Sequence, residues 1–112
     1  MTKTYDLYIT RAAEHDIQEA TDYIDHTLLN PSAADTLLEE VDTAAAGLAS
    51  TPGKYPFADD RVLRSWGVHF ILIRKYLFFY IIRNDLNTVY IIRFLHSRRH
   101  WISILHEGIS FD

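Results

Sequence analysis

The sequence predicts a single α+β domain over residues 1–112, in which a helical hairpin packs on one face of a mainly antiparallel sheet. Three observations support this prediction. The chain has 112 residues, of which 48% are hydrophobic, which is enough for the core of one domain. Its first half repeats apolar residues with helical spacing, whereas its second half contains runs of β-branched and aromatic residues. We find no internal repeat or linker.

The first half contains a strand and two helices. Apolar residues alternate over Tyr5–Thr10, which predicts a strand with one buried face. Thr10 can cap the helix that follows, and Asn30 with Pro31 ends this helix and begins the next. The segment Thr51–Gly53 stops the second helix. The short link predicts an antiparallel hairpin, and the first helix has an apolar face formed by Ala13, Ile17, Ala20, Ile24 and Leu28.

The second half contains three strand candidates, Val68–Arg74, Leu77–Arg83 and Thr88–Leu95, joined by links short enough for antiparallel hairpins. Ser97–Leu105 returns to a weakly helical pattern and predicts a short C-terminal helical segment. The predicted order is therefore β-α-α-β-β-β. Phe78–Ile82 is apolar on both faces, so we expect the helical hairpin to cover one face. Something else must partly cover the other, and such a surface is typical of partner sites.

Charge is distributed unevenly along the chain, although the net charge is only −4. Residues 1–60 carry twelve acidic and three basic side chains, whereas residues 61–112 carry eight basic and three acidic ones. This asymmetry predicts an acidic face and a basic face on one small body.

Composition also indicates where the protein works. There is no cysteine, which suits a reducing compartment, and no apolar run approaches the roughly 20 residues of a membrane span. Residues Met1–Asp6 do not combine a basic stretch with an apolar one, so no secretory signal is visible. We expect a cytoplasmic protein without membrane contact.

Three segments carry a resemblance to a known family. Gly67–Leu72 with Tyr76–Tyr80 resembles the central hairpin of the RelE/ParE superfamily of type II toxin–antitoxin toxins, and Val89–Trp101 resembles its closing strand and turn. Ile9–Ile17, with Tyr23 after it, resembles the opening helix. The resemblance covers nearly the whole chain and is closer to the ParE-like, plasmid-stabilisation members. It implies a toxin that a cognate antitoxin neutralises in a heteromeric complex.

The resemblance leaves two targets open. RelE-like members enter the ribosome and cut mRNA, whereas ParE-like members bind DNA gyrase and trap its cleaved-DNA state. RelE-like toxins place two lysines and an arginine on the central strands, and these positions align with Phe70, Leu72 and Leu77. The late tyrosine of RelE-like toxins has no counterpart in Ile102–Leu105. These differences favour a non-catalytic gyrase poison, which causes growth arrest. A ribosome-dependent mRNA endonuclease and an attenuated toxin that only binds its antitoxin are the alternatives.

The basic turn after the last strand holds the candidate site residues. His96 could act as a general acid or base, because imidazole titrates near neutral pH, and Arg98 could clamp a phosphate. Both are candidates for catalysis in the nuclease alternative. The competing interpretation is that His96 caps a strand and that the arginines pair with the acidic helices or the antitoxin. The wider target-binding set is Arg93, His96, Arg98, Arg99 and Trp101, with Arg64, Arg74, Lys75 and Arg83 as possible neighbours.

Other chemistry is poorly supported by the sequence. His96 and His100 have the four-residue spacing of helical zinc ligands, and His106 is close, but the three fall where the family places a basic turn. We therefore expect no metal and no cofactor. The aromatic run from Tyr76 to Tyr80 could stack on bases, although on such strands core packing or antitoxin contact is the more common role. The residues that bind the antitoxin are not identified.

Overall fold

The computed structural model describes residues 4–112 and confirms the predicted fold class. Met1–Lys3, on which the expectation of no secretory signal partly depends, lie outside the described residues. The sheet has the strand order β1-β4-β3-β2, in which β1 is parallel to β4 and the other pairs are antiparallel. Its strands are β1 (Asp6–Ile9), β2 (Val68–Ile73), β3 (Tyr76–Arg83) and β4 (Thr88–His96). The helices are α1 (Arg11–Asp22), α2 (Pro31–Leu48), α3 (Arg61–Ser65) and α4 (Trp101–His106).

The two long helices begin at the predicted caps. The Thr10 hydroxyl accepts the Ala13 N–H at 3.3 Å and donates to the Ile91 carbonyl at 2.9 Å, so one side chain starts α1 and joins it to β4. The Asn30 side chain accepts the Ala33 N–H at the start of α2. Between the helices, Tyr23–Thr27 forms a π-helical turn. That turn changes the helical period, and Leu28, predicted to lie on the buried face of the first helix, is exposed.

The helical hairpin covers one face of the sheet, as predicted, and encloses the larger core. Its fully buried members from the strands include Phe78, Tyr80 and Ile91, and α2 contributes Leu37 and Leu48. The spacing of these α2 residues keeps them on one side of the helix. This core fixes α1 and α2 against the sheet.

The opposite face is covered by the chain itself. Helices α3 and α4 pack over it through Leu63 and Leu105, both fully buried, and enclose a second core around Phe79. The His106 ring, on α4, lies 2.7 Å from an Asp60 carboxylate oxygen at the start of α3. The pKa of Asp60 lies below its ordinary value. The main cause is this contact with His106, and the second is the hydrogen bond from the Leu63 N–H. Helix α3 was not predicted, because five residues show too little of a period to distinguish a helix from a loop.

The described residues include no helix that is both long and apolar enough to span a membrane. The longest, α2, carries four acidic side chains along its eighteen residues. This agrees with the sequence, in which no apolar run reaches that length.

Candidate functional site

The basic turn and the β2–β3 turn meet at one end of the sheet. Tyr76 pairs with His96 in the β3–β4 register, and the Ser97 N–H donates to the Lys75 carbonyl at 2.8 Å. Antiparallel pairing therefore places Lys75 beside Arg98 and Arg99, which the sequence separates by more than twenty positions. We call this region, formed by Lys75, His96, Arg98 and Arg99, the cationic end.

His96 is held within this turn by two contacts. Its Nδ1 accepts the Arg98 backbone N–H at 3.1 Å, so the proton of the neutral ring lies on Nε2. Its ring meets the ring of Tyr76 edge-on, with centroids 5.3 Å apart. His96 therefore closes the end of β4. The backbone contact agrees with the interpretation that it caps a strand.

Arg93 is occupied by an ion pair with α1. Its Nε and Nη2 donate to the two carboxylate oxygens of Asp16 at 2.7 and 3.0 Å, and the Phe94 N–H donates to the same carboxylate at 3.0 Å. The Asp16 side chain is only 5% exposed. The hydrogen bonds that Arg93 donates to Asp16 raise the pKa of Arg93, although its burial acts to lower it. Arg93 thus holds α1 against β4, as the interpretation of pairing with the acidic helices anticipated.

The other basic candidates divide by position. Arg74 lies next to the cationic end, in the β2–β3 turn, but Glu40 on α2 accepts two hydrogen bonds from its guanidinium, at 2.8 and 3.0 Å. Arg83 pairs with Asp85 at the far end of β3, and Arg64 on α3 lies over the Phe57 ring. By contrast, Lys75, Arg98 and Arg99 are exposed, and within residues 4–112 their side chains have no ion pair. These three are the available cations of the site.

Trp101 begins α4 just after the basic turn. Its ring is half-buried and packs on Phe79 with centroids 5.3 Å apart. Through this contact it packs the start of α4 on the second core.

A cleft that the sequence does not predict opens beside the cationic end. It consists of two adjoining cavities of about 410 and 400 Å³, both lined by Tyr23, Tyr76 and His96, which we call the tyrosine cleft. Arg99 lines one cavity and Lys75 the other. Burial, and to a smaller extent the neighbouring Tyr23, raises the pKa of Tyr76. The signal in the sequence was Tyr23, which the resemblance matches to the opening helix of the family.

The positions aligned with the charged strand residues of RelE-like toxins are contiguous and apolar. Leu72 faces Leu77 in the β2–β3 register, and Phe70 shares their face because side chains alternate along a strand. Phe70 and Leu77 belong to the second core, whereas Leu72 is 61% exposed. This face offers no charged group at those three positions.

The histidines considered for zinc are not arranged as ligands on a helix. Residues 96–100 form the end of β4 and a turn, and His106 is bonded to Asp60. Within residues 4–112, His15, Asp16 and Glu19 do come within ligand distance of one another, but both oxygens of Asp16 already accept hydrogen bonds from Arg93. Arg93 brings a positive charge to that group, which opposes cation binding.

Comparison with known proteins identifies the family of the chain and solved structures with a similar fold. A family model described as the ParE toxin of the type II toxin–antitoxin system parDE matches residues 7–101. A chain of the chromosomal ParDE system of P. aeruginosa is similar with a TM-score of 0.69 at 15% identity, covering 87% of this chain and all of that one. A chain of the RelBE2 toxin–antitoxin complex of Mycobacterium tuberculosis has a TM-score of 0.58 at 22% identity, covering 83% and 98%. No curated protein matches the sequence.

Proposed function

The chain belongs to the family of ParE toxins of type II toxin–antitoxin systems, and from this premise we propose that it binds DNA gyrase and traps the cleaved-DNA state without chemistry of its own. The toxin assignment follows from the family. The choice of gyrase rather than mRNA is the proposal. It depends on the apolar side chains at Phe70, Leu72 and Leu77 and on the cations that remain unpaired at the cationic end.

The observation that carries the proposal is the apolar surface at Phe70, Leu72 and Leu77. Cutting RNA at a 2′-hydroxyl requires a base, an acid and cations that stabilise the developing phosphorane. Positions that bear cations in RelE-like relatives are here a half-buried ring, an exposed leucine and a buried leucine. Aliphatic and aromatic side chains cannot stabilise that charge, so binding rather than cleavage is supported.

The remaining cations suit a binding role. Arg93 is held by Asp16 and Arg74 by Glu40, which leaves Lys75, Arg98 and Arg99 to meet a partner. Three unpaired cations on two adjoining turns form a positive patch, and such patches steer association with acidic surfaces. We expect the cationic end to contact the gyrase–DNA complex.

The test is to incubate the purified toxin with gyrase, ATP and supercoiled plasmid, and then to add detergent and protease. We expect linear DNA in this assay and undiminished protein synthesis in a cell-free translation reaction. The double variant R98A/R99A should lose the linear product. The matched control R11A/R61A removes two exposed arginines elsewhere on the surface and should retain it.

Two results would contradict the proposal. One is arrested translation with cut mRNA that His96→Ala or Arg98→Ala relieves, which would establish the nuclease alternative. The other is no response in either assay from toxin that still binds its antitoxin, which would establish an attenuated toxin.

We also propose a docking site for the cognate antitoxin, since both similar structures come from toxin–antitoxin systems. A groove of about 490 Å³ lies between α1 and α2 beside β1, with Ile9, Ile17 and Leu38 among its apolar residues and Glu14 and Asp42 on its rim. Strand β1 is an edge of the sheet, and all four of its residues are exposed. An apolar floor with an acidic rim fits a basic, amphipathic antitoxin segment.

A further inference from the structure

The tyrosine cleft contains one fixed and one free aromatic ring. Tyr76 stacks on Phe94, with ring centroids 4.8 Å apart and planes at 10°, and the edge of His96 holds it from the side. Tyr23 is 52% exposed, and within residues 4–112 its side chain has no stacked or hydrogen-bonded partner. The cleft therefore presents a rigid ring on the sheet and an unsatisfied ring on the helical hairpin.

Tyr23 lies where the geometry of the helical backbone changes. Tyr23 begins the π-helical turn, in which the Leu28 N–H donates to the Tyr23 carbonyl at 3.0 Å. Turns of this kind are rare and occur frequently at functional sites. The Tyr23 ring belongs to neither of the two cores, so packing of the cores does not account for its place on the wall of the cleft.

Cations flank the rings on both sides. Lys75 lines the cavity toward α2, Arg99 lines the cavity toward α1, and neither has an ion pair within the described part of the chain. Of the two acidic groups on the wall, Asp16 is bonded to Arg93, and the Glu19 side chain is exposed to solvent. Within the cleft, the two aromatic rings therefore lie between Lys75 on one side and Arg99 on the other.

We propose that the tyrosine cleft binds an unpaired nucleotide of a nucleic acid strand, with the base against Tyr23 and Tyr76 and the flanking phosphates at Lys75 and Arg99. Stacking of bases on aromatic side chains, combined with cations that follow the backbone, is how single strands are bound without sequence preference. A duplex has its bases stacked already and does not fit. The cleft lies on the helical-hairpin face, away from Phe70, Leu72 and Leu77, and the inference does not depend on the identity of the toxin's target.

The experiment is fluorescence anisotropy of a labelled oligothymidylate about twelve nucleotides long, titrated with the toxin at low salt. Parallel titrations use oligouridylate and duplex DNA, and thymidine monophosphate and inorganic phosphate serve as competitors. We expect both single strands to bind, the duplex to bind more weakly, and the monophosphate to compete better than phosphate. This last result would show that the base contributes to binding. A higher affinity for one of the two single strands would then identify DNA or RNA as the source of the nucleotide.

The variants separate stacking from charge. Tyr23→Ala should weaken binding at least about fivefold, and Tyr23→Phe should retain it, because stacking needs the ring and not the hydroxyl. K75Q/R99Q should lower the slope of log affinity against log salt concentration by about 1.4, as expected for two phosphate contacts on a single strand. Tyr8→Ala and R11Q/R61Q alter exposed side chains outside the cleft and should leave binding within about twofold.

Three results would overturn the proposal: no binding of either single strand, binding that Tyr23→Ala leaves unchanged, or stronger binding of an acidic leucine-rich peptide than of the oligonucleotides. The last would identify the cleft as a protein-docking site. Because the binding reaction contains no gyrase, a negative result would not contradict the gyrase proposal, which the plasmid-cleavage assay tests separately.

Discussion

Asp16 joins α1 to the part of β4 that β1 does not reach. Strand β1 ends at Ile9, opposite Ile91, and past that point the edge of β4 would be open. The Asp16 carboxylate closes it by accepting the Phe94 N–H together with two hydrogen bonds from Arg93. A buried carboxylate with three donors is strongly coupled to the fold, because removal of one partner leaves the others unsatisfied.

Asp16→Ala should therefore lower the free energy of unfolding by about 3 kcal/mol, since it leaves the half-buried Arg93 charge and the Phe94 N–H without an acceptor. Urea denaturation at pH 7 measures this. The control Glu19→Ala removes an exposed carboxylate one helical turn later and should change stability by less than about 0.5 kcal/mol. Equal effects of the two variants would show that the Asp16 contacts contribute little.

Tyr80 is a second buried polar residue with a defined role. Its ring is fully buried in the first core, and its hydroxyl donates to the Pro52 carbonyl at 2.5 Å. Burial is the main cause of a pKa of Tyr80 raised well above its ordinary value of 10.0. The folded protein thus keeps a proton that the unfolded chain loses above about pH 10.

Stability contributed by this phenol is present below pH 10 and decreases as the pH rises above it. Tyr80→Phe should cost about 1–2 kcal/mol at pH 7, where the Pro52 carbonyl loses its donor. The difference in stability between the wild type and Tyr80→Phe should then narrow between pH 9 and pH 11, as urea denaturation at each pH will show. A constant difference would mean that Tyr80 ionises equally in both states. Tyr8→Phe, at an exposed position, serves as the control.

At the scale of elements, the connection between α1 and α2 is the least regular part of the helical hairpin. The π-helical turn is followed by Leu29, which has a left-handed φ of 53° and is 81% exposed. An exposed leucine side chain contributes no burial of apolar surface, and the left-handed backbone conformation is sterically unfavourable for it. The sequence nevertheless places it between Leu28 and Asn30, which both line the tyrosine cleft.

Leu29→Gly should stabilise the protein by about 0.5–1 kcal/mol, because glycine adopts positive φ without strain and no buried surface is lost. The measurement is again the midpoint of urea denaturation. Leu86→Gly is a suitable control, since Leu86 is also exposed but does not have a positive φ, and it should be neutral or destabilising. If Leu29→Gly destabilises as much as Leu86→Gly, the strain at Leu29 is not significant.

At the scale of the whole molecule, charge separates the two proposed surfaces. The acidic rim of the α1–α2 groove lies on the helical hairpin, whereas the unpaired cations gather where the β2–β3 turn meets the basic turn. Opposite charges on separate surfaces allow a basic antitoxin segment and an acidic target to associate at different places. The small net charge of −4 conceals this arrangement.

The proposed antitoxin surface can be tested by measuring how variants of the toxin bind the cognate antitoxin. Leu38→Glu, in the groove, should weaken antitoxin binding at least about tenfold, because it places a charge where an apolar anchor would sit. Isothermal titration calorimetry measures this change. Leu86→Glu, at a turn outside the groove, should bind normally. Normal binding by both variants would exclude the α1–α2 groove as the docking site.

Local signals in the sequence predicted the order of the four strands and the two long helices, the caps at Thr10 and Asn30, and the family. Each of these depends on residues close together in the chain, where periodicity and turn chemistry act. The same local signals identified the apolar substitutions at Phe70, Leu72 and Leu77, once the resemblance aligned them.

Which of the basic residues are available follows from the folded structure and not from local sequence. Arg93 and Asp16 are 77 positions apart, and no local pattern indicates that they pair. In the same way, only the register of β3 against β4 brings Tyr76 to His96, and only the packing of α1 brings Tyr23 to both. Such contacts depend on how the faces of distant elements meet, and that is set by the packing of the whole core.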